Sequence, residues 1–285
     1  MSFSRKIKEE LSKISNLKNK DLVKAELLGY LESSNATINN KIVSYKTANE
    51  YNINRFSKLL KNINIQKYKF EFAMNKYKIE FKSDLLNTSD LQNIYELIQD
   101  EKNIDIRRAF VRGTFMGSGY FANPETGYHL EIALKEENKA KFVKEILEKN
   151  NIIIKSIKRR GSYCLYAQDG EQVVSVLAFI GANHSVLRFE EIRVMKEMKN
   201  KVNRMVNCET FNLNKTINAS NKHVEEIKKL KKSGKFNLLD EKLKVVAEAR
   251  LKYPEYSLKE LADYLNIGKS AVNYRLNKIM EYTKI

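Results

Sequence analysis

The sequence predicts an α+β chain: a pseudo-symmetric, duplicated αββαββα portion followed by an all-α helix-turn-helix. Three observations predict this. A helix-period segment rich in small residues occurs twice, from Ala25 and from Ala109, and the offset of 84 residues between the copies persists through the segments that follow. Within each copy, period-2 alternation such as Tyr68, Phe70, Phe72 alternates with helical periods. Beyond residue 236 the pattern is helical throughout, with a capping box and a short turn between periodic runs.

The elements follow in order. AELLGYLESSNATI overlays AFVRGTFMGSGYFA, putting Gly29 on Gly113, Ser33 on Gly117 and Ser34 on Ser118. SYKTANE overlays YHLEIAL as strands, and YNINRFSKLLKNI overlays KEENKAKFVKEIL as helices. YKFEFA falls on IIIKSI, and YKIEF falls within a residue of GSYCLY, all strand-like. DLQNIYELIQ and EQVVSVLAFI close the two halves as helices. The expected organisation is a duplicated domain over 1–205, with halves at about 1–100 and 105–205. A helical linker over 206–236 and a helix-turn-helix domain over 237–285 complete it.

Gly29 and Ser33, like Gly113 and Gly117, sit four residues apart and so share one helix face. A glycine inside a helix costs about 1 kcal/mol relative to alanine. Small side chains on one face allow two helix backbones to approach closely. The four residues are therefore expected to form the face on which the two repeat helices pack.

Two such helices in tandem, each followed by strands, resemble the LAGLIDADG homing-endonuclease fold. The resemblance implies paired helices above a saddle-shaped sheet that straddles DNA. It also implies an acidic residue at the eighth position of each motif, where the two acids hold catalytic metals. LLGYLESSN places Ser34 at that position and VRGTFMGSG places Ser118 there. A neutral hydroxyl is a weak ligand for Mg²⁺, which needs hard, charged oxygens. Glu32 lies two residues early and Met116 is its counterpart. Both serines are thus degenerate metal positions; no catalytic residue, metal or cofactor is expected.

The whole chain resembles the WhiA family more closely. The resemblance rests on the degenerate duplicated portion, on NRMVNCETFNLNKTINAS (203–220) and on the C-terminal helix-turn-helix. Phe211 departs from it, in a place where a smaller residue is expected. It implies a bacterial DNA-binding regulator of cell division and chromosome segregation, tied in some lineages to transcription of sporulation and division genes. A cytoplasmic location at the nucleoid goes with that role.

The C-terminal module reads independently of any resemblance. A first helix over 240–252 must end before Pro254. Ser257 and Glu260 form a capping box, and Leu258, Leu261, Ala262 and Leu265 give the next helix its inward face. Asn266-Ile267-Gly268 makes the turn, with Gly268 expected to supply positive φ. Val272, Leu276 and Ile279 face inward on the last helix, leaving Lys269, Ser270, Asn273, Tyr274, Arg275 and Lys278 outward. Short polar groups near the start of such a helix can reach base edges, and basic ones reach phosphates. Asn273 suits adenine and Arg275 guanine.

The net charge of +17, from 52 basic and 35 acidic residues, favours a polyanionic partner such as double-stranded DNA. The excess is spread along a Lys- and Asn-rich chain, so it does not by itself locate a site. KSIKRRGSY adds Lys158, Arg159 and Arg160 as candidate DNA contacts at a strand end, with a solvated hairpin tip as the other reading. Arg107 and Arg108 are expected at the surface or paired with Asp105. VEEIKKLKKSGKF (224–236) is expected as a solvated helix leading to a hinge. Two cysteines and three scattered histidines suggest neither a disulfide framework nor a metal site. The longest apolar run is too short to cross a membrane. Two rival functions stay open: a LAGLIDADG-type metal-dependent endonuclease, and a protein-interaction module that contacts RNA polymerase or another division or transcription protein.

Overall fold

The computed structural model describes residues 2–15, 17–86, 88–159 and 161–283. The chain divides into two compact units, residues 1–197 and 198–285. Each is taken by itself.

The first unit begins with α1 (Phe3–Ser12), an element the repeat reading did not provide. Phe3, Ile7 and Leu11 lie on one face of it and are buried. The two halves then run in parallel order. The first is α2 (Lys20–Glu32), β1 (Ala36–Asn39), β2 (Ile42–Thr47), α3 (Glu50–Asn62), β3 (Lys69–Ala73), β4 (Lys76–Lys82) and α4 (Thr88–Gln99). The second is α5 (Ile104–Ser118), β5 (Gly119–Phe121), β6 (Leu130–Leu134), α6 (Glu137–Glu148), β7 (Lys155–Arg159), β8 (Ser162–Ala167) and α7 (Gly170–Ile180). Each half folds its strands into one antiparallel four-stranded sheet, ordered β1-β2-β4-β3 and β5-β6-β8-β7. The predicted duplication is therefore present in element order and in strand order alike.

Register fixes which side chains each sheet turns inward. Val43 faces Phe81 and Tyr45 faces Ile79 across β2 and β4; Ile132 faces Leu165 across β6 and β8. All six are buried against the helices. Residues one step along point to the opposite face. The hairpins β1–β2 and β3–β4 turn on two positive-φ residues each, Asn40-Lys41 and Met74-Asn75, the arrangement that matches strand twist in two-residue turns.

The two halves join through α2 and α5. A Cβ built on Gly29 would overlap the Phe110 carbonyl oxygen and come within 2.6 Å of the Thr114 amide nitrogen. One built on Gly113 would overlap the Glu26 carbonyl oxygen, and one on Gly117 would stand 2.5 Å from Ser33 Cβ. Gly29 and Gly113 thus stand against the backbone of the partner helix, and Gly117 stands against the Ser33 side chain. Beside this crossing, the Glu26 carboxylate accepts from Arg55 Nε at 2.7 Å, Arg55 Nη2 at 2.9 Å and Arg112 Nε at 3.1 Å. All three residues are buried, and the cluster ties α2 and α3 of one half to α5 of the other.

Arg107 departs from expectation. It lies inside α5, is buried, and its Nε donates to the Ile98 carbonyl at 3.1 Å. Arg108 stays near the surface, 3.5 Å from Asp105.

A long helix, α8 (Asn183–Lys232), contains the division between units. Its start belongs to the first unit, where Glu10 caps it. The Glu10 carboxylate accepts from the His184 amide at 2.8 Å, from the Ser185 amide at 2.9 Å and from Ser185 Oγ at 2.6 Å. An acid at a helix start satisfies free amides and meets the positive end of the dipole.

In the second unit, the end of α8 packs with α9 (Glu241–Lys252), α10 (Leu258–Tyr264) and α11 (Lys269–Tyr282). Ile227 and Leu230 are buried in this core together with Val246, Leu261, Val272, Leu276 and Ile279. The helical part of the 224–236 stretch, up to Lys232, therefore has one apolar face in the core and is not fully solvated. It ends before Gly234, which adopts φ 72°. No helix among the described residues is long and apolar enough to cross a membrane.

Candidate nucleic-acid interface

Three places bear on nucleic acid: the ends of the paired helices, the sheet faces turned away from them, and the last helix.

At the helix ends, Ser34 follows the last turn of α2 and Ser118 closes α5. The Ser34 amide donates to the Ala133 carbonyl at 3.0 Å, and Ser118 Oγ donates to the same oxygen. The two degenerate positions thus converge on one backbone acceptor of β6. Glu32 points elsewhere. Its carboxylate accepts from the Tyr95 hydroxyl and lies 2.9 Å from Lys139 Nζ, which also donates to the Tyr95 hydroxyl at 2.7 Å. Burial, then the charge of Glu32, pushes the Tyr95 phenol well up, so it stays protonated as a donor. Met116, the counterpart of Glu32, is buried. Among the described residues no three His, Cys, Asp or Glu side chains are grouped to hold a metal ion.

On the first sheet, the face opposite the core carries Lys46, Lys76 and Lys82, which are exposed. Lys69 and Lys78 share that face but are partly neutralised: Lys69 lies 2.5 Å from Glu71, and Lys78 lies 2.7 Å from Glu80 and 3.3 Å from Glu71. On the second sheet, β7 is one of the two edge strands. Its pairing sets Lys158 opposite Tyr163, on the side of buried Leu165, and sets Arg159 opposite Ser162. The candidate cluster therefore splits. Lys155 and Arg159 share the outer face, while Lys158 turns towards α6, its Nζ 5.2 Å from the Tyr163 ring centroid. Arg160 lies outside the described residues.

The last helix has the expected local chemistry. Asp240 caps α9 by accepting from the Leu243 amide at 2.7 Å. Ser257 and Glu260 form the capping box, with the Glu260 carboxylate 2.7 Å from the Ser257 amide and Ser257 Oγ 3.2 Å from the Glu260 amide. The turn differs in one detail. Asn266 takes positive φ at 52°, and Gly268 is the extended residue ahead of α11, with φ −67°. Asparagine tolerates the left-handed region well enough to make the glycine unnecessary there. On α11, Lys269, Ser270, Asn273 and Tyr274 are exposed, whereas Arg275 and Lys278 are half-buried. Lys278 Nζ lies 5.7 Å from the Tyr274 ring centroid. Val272, Leu276 and Ile279 anchor the helix from beneath.

Sequence reasoning missed Arg250. Arg250 is buried, and its Nη1 donates to the Tyr256 carbonyl at 2.6 Å and to Ser220 Oγ at 3.1 Å, fastening α8 to the loop before α10. The nearby Arg-Leu-Lys-Tyr-Pro stretch gives little sign of this, because a basic residue in the last helical turn ordinarily reads as solvated.

Two tandem helix–sheet halves on a shared glycine-faced helix pair, with a helix-turn-helix on the same chain, define a LAGLIDADG-like protein fused to a DNA-binding-type module. Comparisons with known proteins agree. Residues 107–199 match the family described as the WhiA LAGLIDADG-like domain, and residues 202–283 match the WhiA C-terminal HTH domain. The chain is 36% identical to the probable cell division protein WhiA of Clostridium botulinum strain Hall, over 98% of this chain and 96% of that one. It is 46% identical to the protein of the same description from Clostridium beijerinckii, over 62% of this chain and 57% of that one. Among solved structures, full-length DUF199/WhiA from Thermatoga maritima superposes with a TM-score of 0.66 at 26% identity, covering 100% of this chain and 98% of that one. The chain belongs to the WhiA family.

Proposed function

We propose that this chain binds double-stranded DNA without cleaving it and acts as a regulator in cell division and chromosome segregation. The observation that carries the reading is the outer surface of α11. Lys269, Ser270, Asn273 and Tyr274 are presented to solvent on a helix locked from beneath and preceded by a capped helix and a tight turn. That is the arrangement by which a helix-turn-helix offers its second helix to the major groove. The division role is drawn from the relatives, which are described as probable cell division proteins. A place in the cytoplasm at the nucleoid follows from a DNA partner. We assign DNA reading to residues 237–285, with 206–236 as a helical lead-in and 1–205 as the duplicated domain.

The absence of cleavage is supported by what stands at the two motif positions. A metal-dependent phosphodiesterase needs charged oxygens there. Ser34 and Ser118 supply none, and both are hydrogen-bonded to the Ala133 carbonyl. Lys46, Lys76, Lys82, Lys155 and Arg159 give the sheets enough positive charge for backbone contacts.

Fluorescence anisotropy of the full chain on duplex DNA tests the reading. Asn273→Ala and Arg275→Ala should each weaken binding by about 1–3 kcal/mol if they meet bases. Unchanged affinity in both folded variants would remove α11 from the interface. Binding of RNA polymerase with no affinity for DNA would favour the protein-docking alternative.

A further inference from the structure

We propose that the second unit contains a phosphate-binding pocket, built where the end of α8 meets α9, α10 and the start of α11. It is a cavity of about 290 Å³, and four cationic side chains line it: Lys215, Arg250, Lys259 and Lys269. Among the described residues no acidic one lines it. Among the described residues Lys215, Lys259 and Lys269 are exposed and form no ion pair. Cations gathered around one cavity attract an anion placed among them.

A second observation points the same way. Arg250 is only 2% exposed, yet among the described residues its Nε has no hydrogen-bond partner, and neither does the buried Nδ1 of His223 on the same cavity. A buried polar atom left unpaired is costly to the fold. Arg250 Nη1 is committed to carbonyls and to Ser220, which leaves Nε for a ligand. Thr216 and Ser257 add hydroxyls to the lining. Cations, N–H donors and hydroxyls around a space larger than a carboxylate requires suit the tetrahedral oxygens of a phosphate.

The pocket also gives a role to NLNKT (212–216), a stretch to which α11 assigns none. Lys215 and Thr216 come from it. Because Lys269 also begins α11, a phosphate held here would lie at the border of the DNA-reading surface. The source of the phosphate is either the backbone of bound DNA, in which case the inference rests on the DNA-binding reading, or a diffusible phosphate.

The test uses the full chain and Lys215→Ala, with Lys215→Gln as the second variant should the first lose its fold. Duplex binding is measured across a salt series, and again with inorganic phosphate replacing chloride at equal ionic strength. Loss of one phosphate contact should flatten the log–log salt slope by about 0.9 and weaken binding several-fold. A flattened slope with no special effect of phosphate identifies the DNA backbone as the source. Phosphate that competes beyond chloride, and does so less in the variant, identifies a diffusible ion. An unchanged slope together with no excess effect of phosphate overturns the proposal. NMR of the His223 ring during a phosphate titration without DNA keeps the two readings separable. Should the wild type bind no duplex, a His223 shift abolished in Lys215→Ala still sustains the pocket, and no shift overturns it.

Discussion

Gly29 and Gly113 stand against each other where α2 crosses α5: a Cβ on Gly29 would lie 2.9 Å from the Gly113 carbonyl carbon, and one on Gly113 3.1 Å from Gly29 Cα. The crossing has no room for a methyl group on either side. Gly29→Ala and Gly113→Ala should each destabilise the first unit by roughly 3 kcal/mol, because backbone rather than a flexible side chain blocks the new atom. Gly127→Ala, where none of the described residues lies within 4 Å, is the control and should stay within about 0.5 kcal/mol. Denaturant unfolding measures the difference. Equal effects at all three glycines would contradict the close approach.

The buried charge cluster should behave differently from surface pairs. Glu26→Ala leaves the Arg55 and Arg112 guanidiniums without their carboxylate in the interior, a loss of about 3–5 kcal/mol. Glu137→Ala breaks the exposed pair with Lys141 and should leave stability nearly unchanged, because solvent screens the pair. Thermal unfolding of the two variants gives the comparison; similar losses would mean the interior cluster is not what holds the halves.

His223 gives a pH dependence with a definite sign. Burial, then the charges of Arg250 and Lys222, lowers its pKa. A base depressed in the folded state is protonated first in the unfolded chain. Its contribution to stability is therefore full above the unfolded value of about 6.5, and it is lost as pH falls below that towards the folded pKa. In phosphate-free buffer, an NMR titration of the ring in the full chain should give a midpoint below 6.5; a midpoint at or above it would contradict the burial.

Restoring acids should not restore a nuclease. In Ser34→Asp with Ser118→Asp, the carboxylates arrive at a place where β6 offers a backbone carbonyl and where Glu32 is already held by Tyr95 and Lys139. Metal sites need a supporting shell that orients their ligands. Supercoiled plasmid incubated with the double variant and Mg²⁺ should stay intact. Efficient nicking would show that the remainder of a metal site survives.

The parts of the fold legible in the sequence are those that repeat or obey short-range rules. The 84-residue offset found both halves because Gly29, Gly113 and the following strands are local patterns that duplication copied. The capping box at Ser257 and the inward triplet Val272, Leu276, Ile279 were legible because they lie within a few turns of one another. What was illegible depends on contacts across the chain. Glu26 and Arg112 are 86 residues apart, and a charged residue in a helix ordinarily reads as solvated. Glu10 caps a helix more than 170 residues away. Asn266 and Gly268 could each have supplied the left-handed residue of the turn, and backbone geometry chose the asparagine. The burial of Ile227 and Leu230 was present as a spacing of three, masked by the lysines around it. On α11 the exposure of Lys269, Ser270, Asn273 and Tyr274 was readable and the partial burial of Arg275 and Lys278 was not, while the split of Lys158 from Arg159 required the strand register.

The central claim is DNA binding without cleavage. It is tested most directly by titrating the full chain against duplex DNA across a salt series, with and without Mg²⁺, and then checking the same DNA for breaks. The account predicts tight binding at low salt, an affinity that falls steeply as salt rises, no requirement for Mg²⁺ beyond its ionic strength, and intact strands. Absence of binding at about 0.1 M salt, or strand breaks that appear only with Mg²⁺, would contradict it.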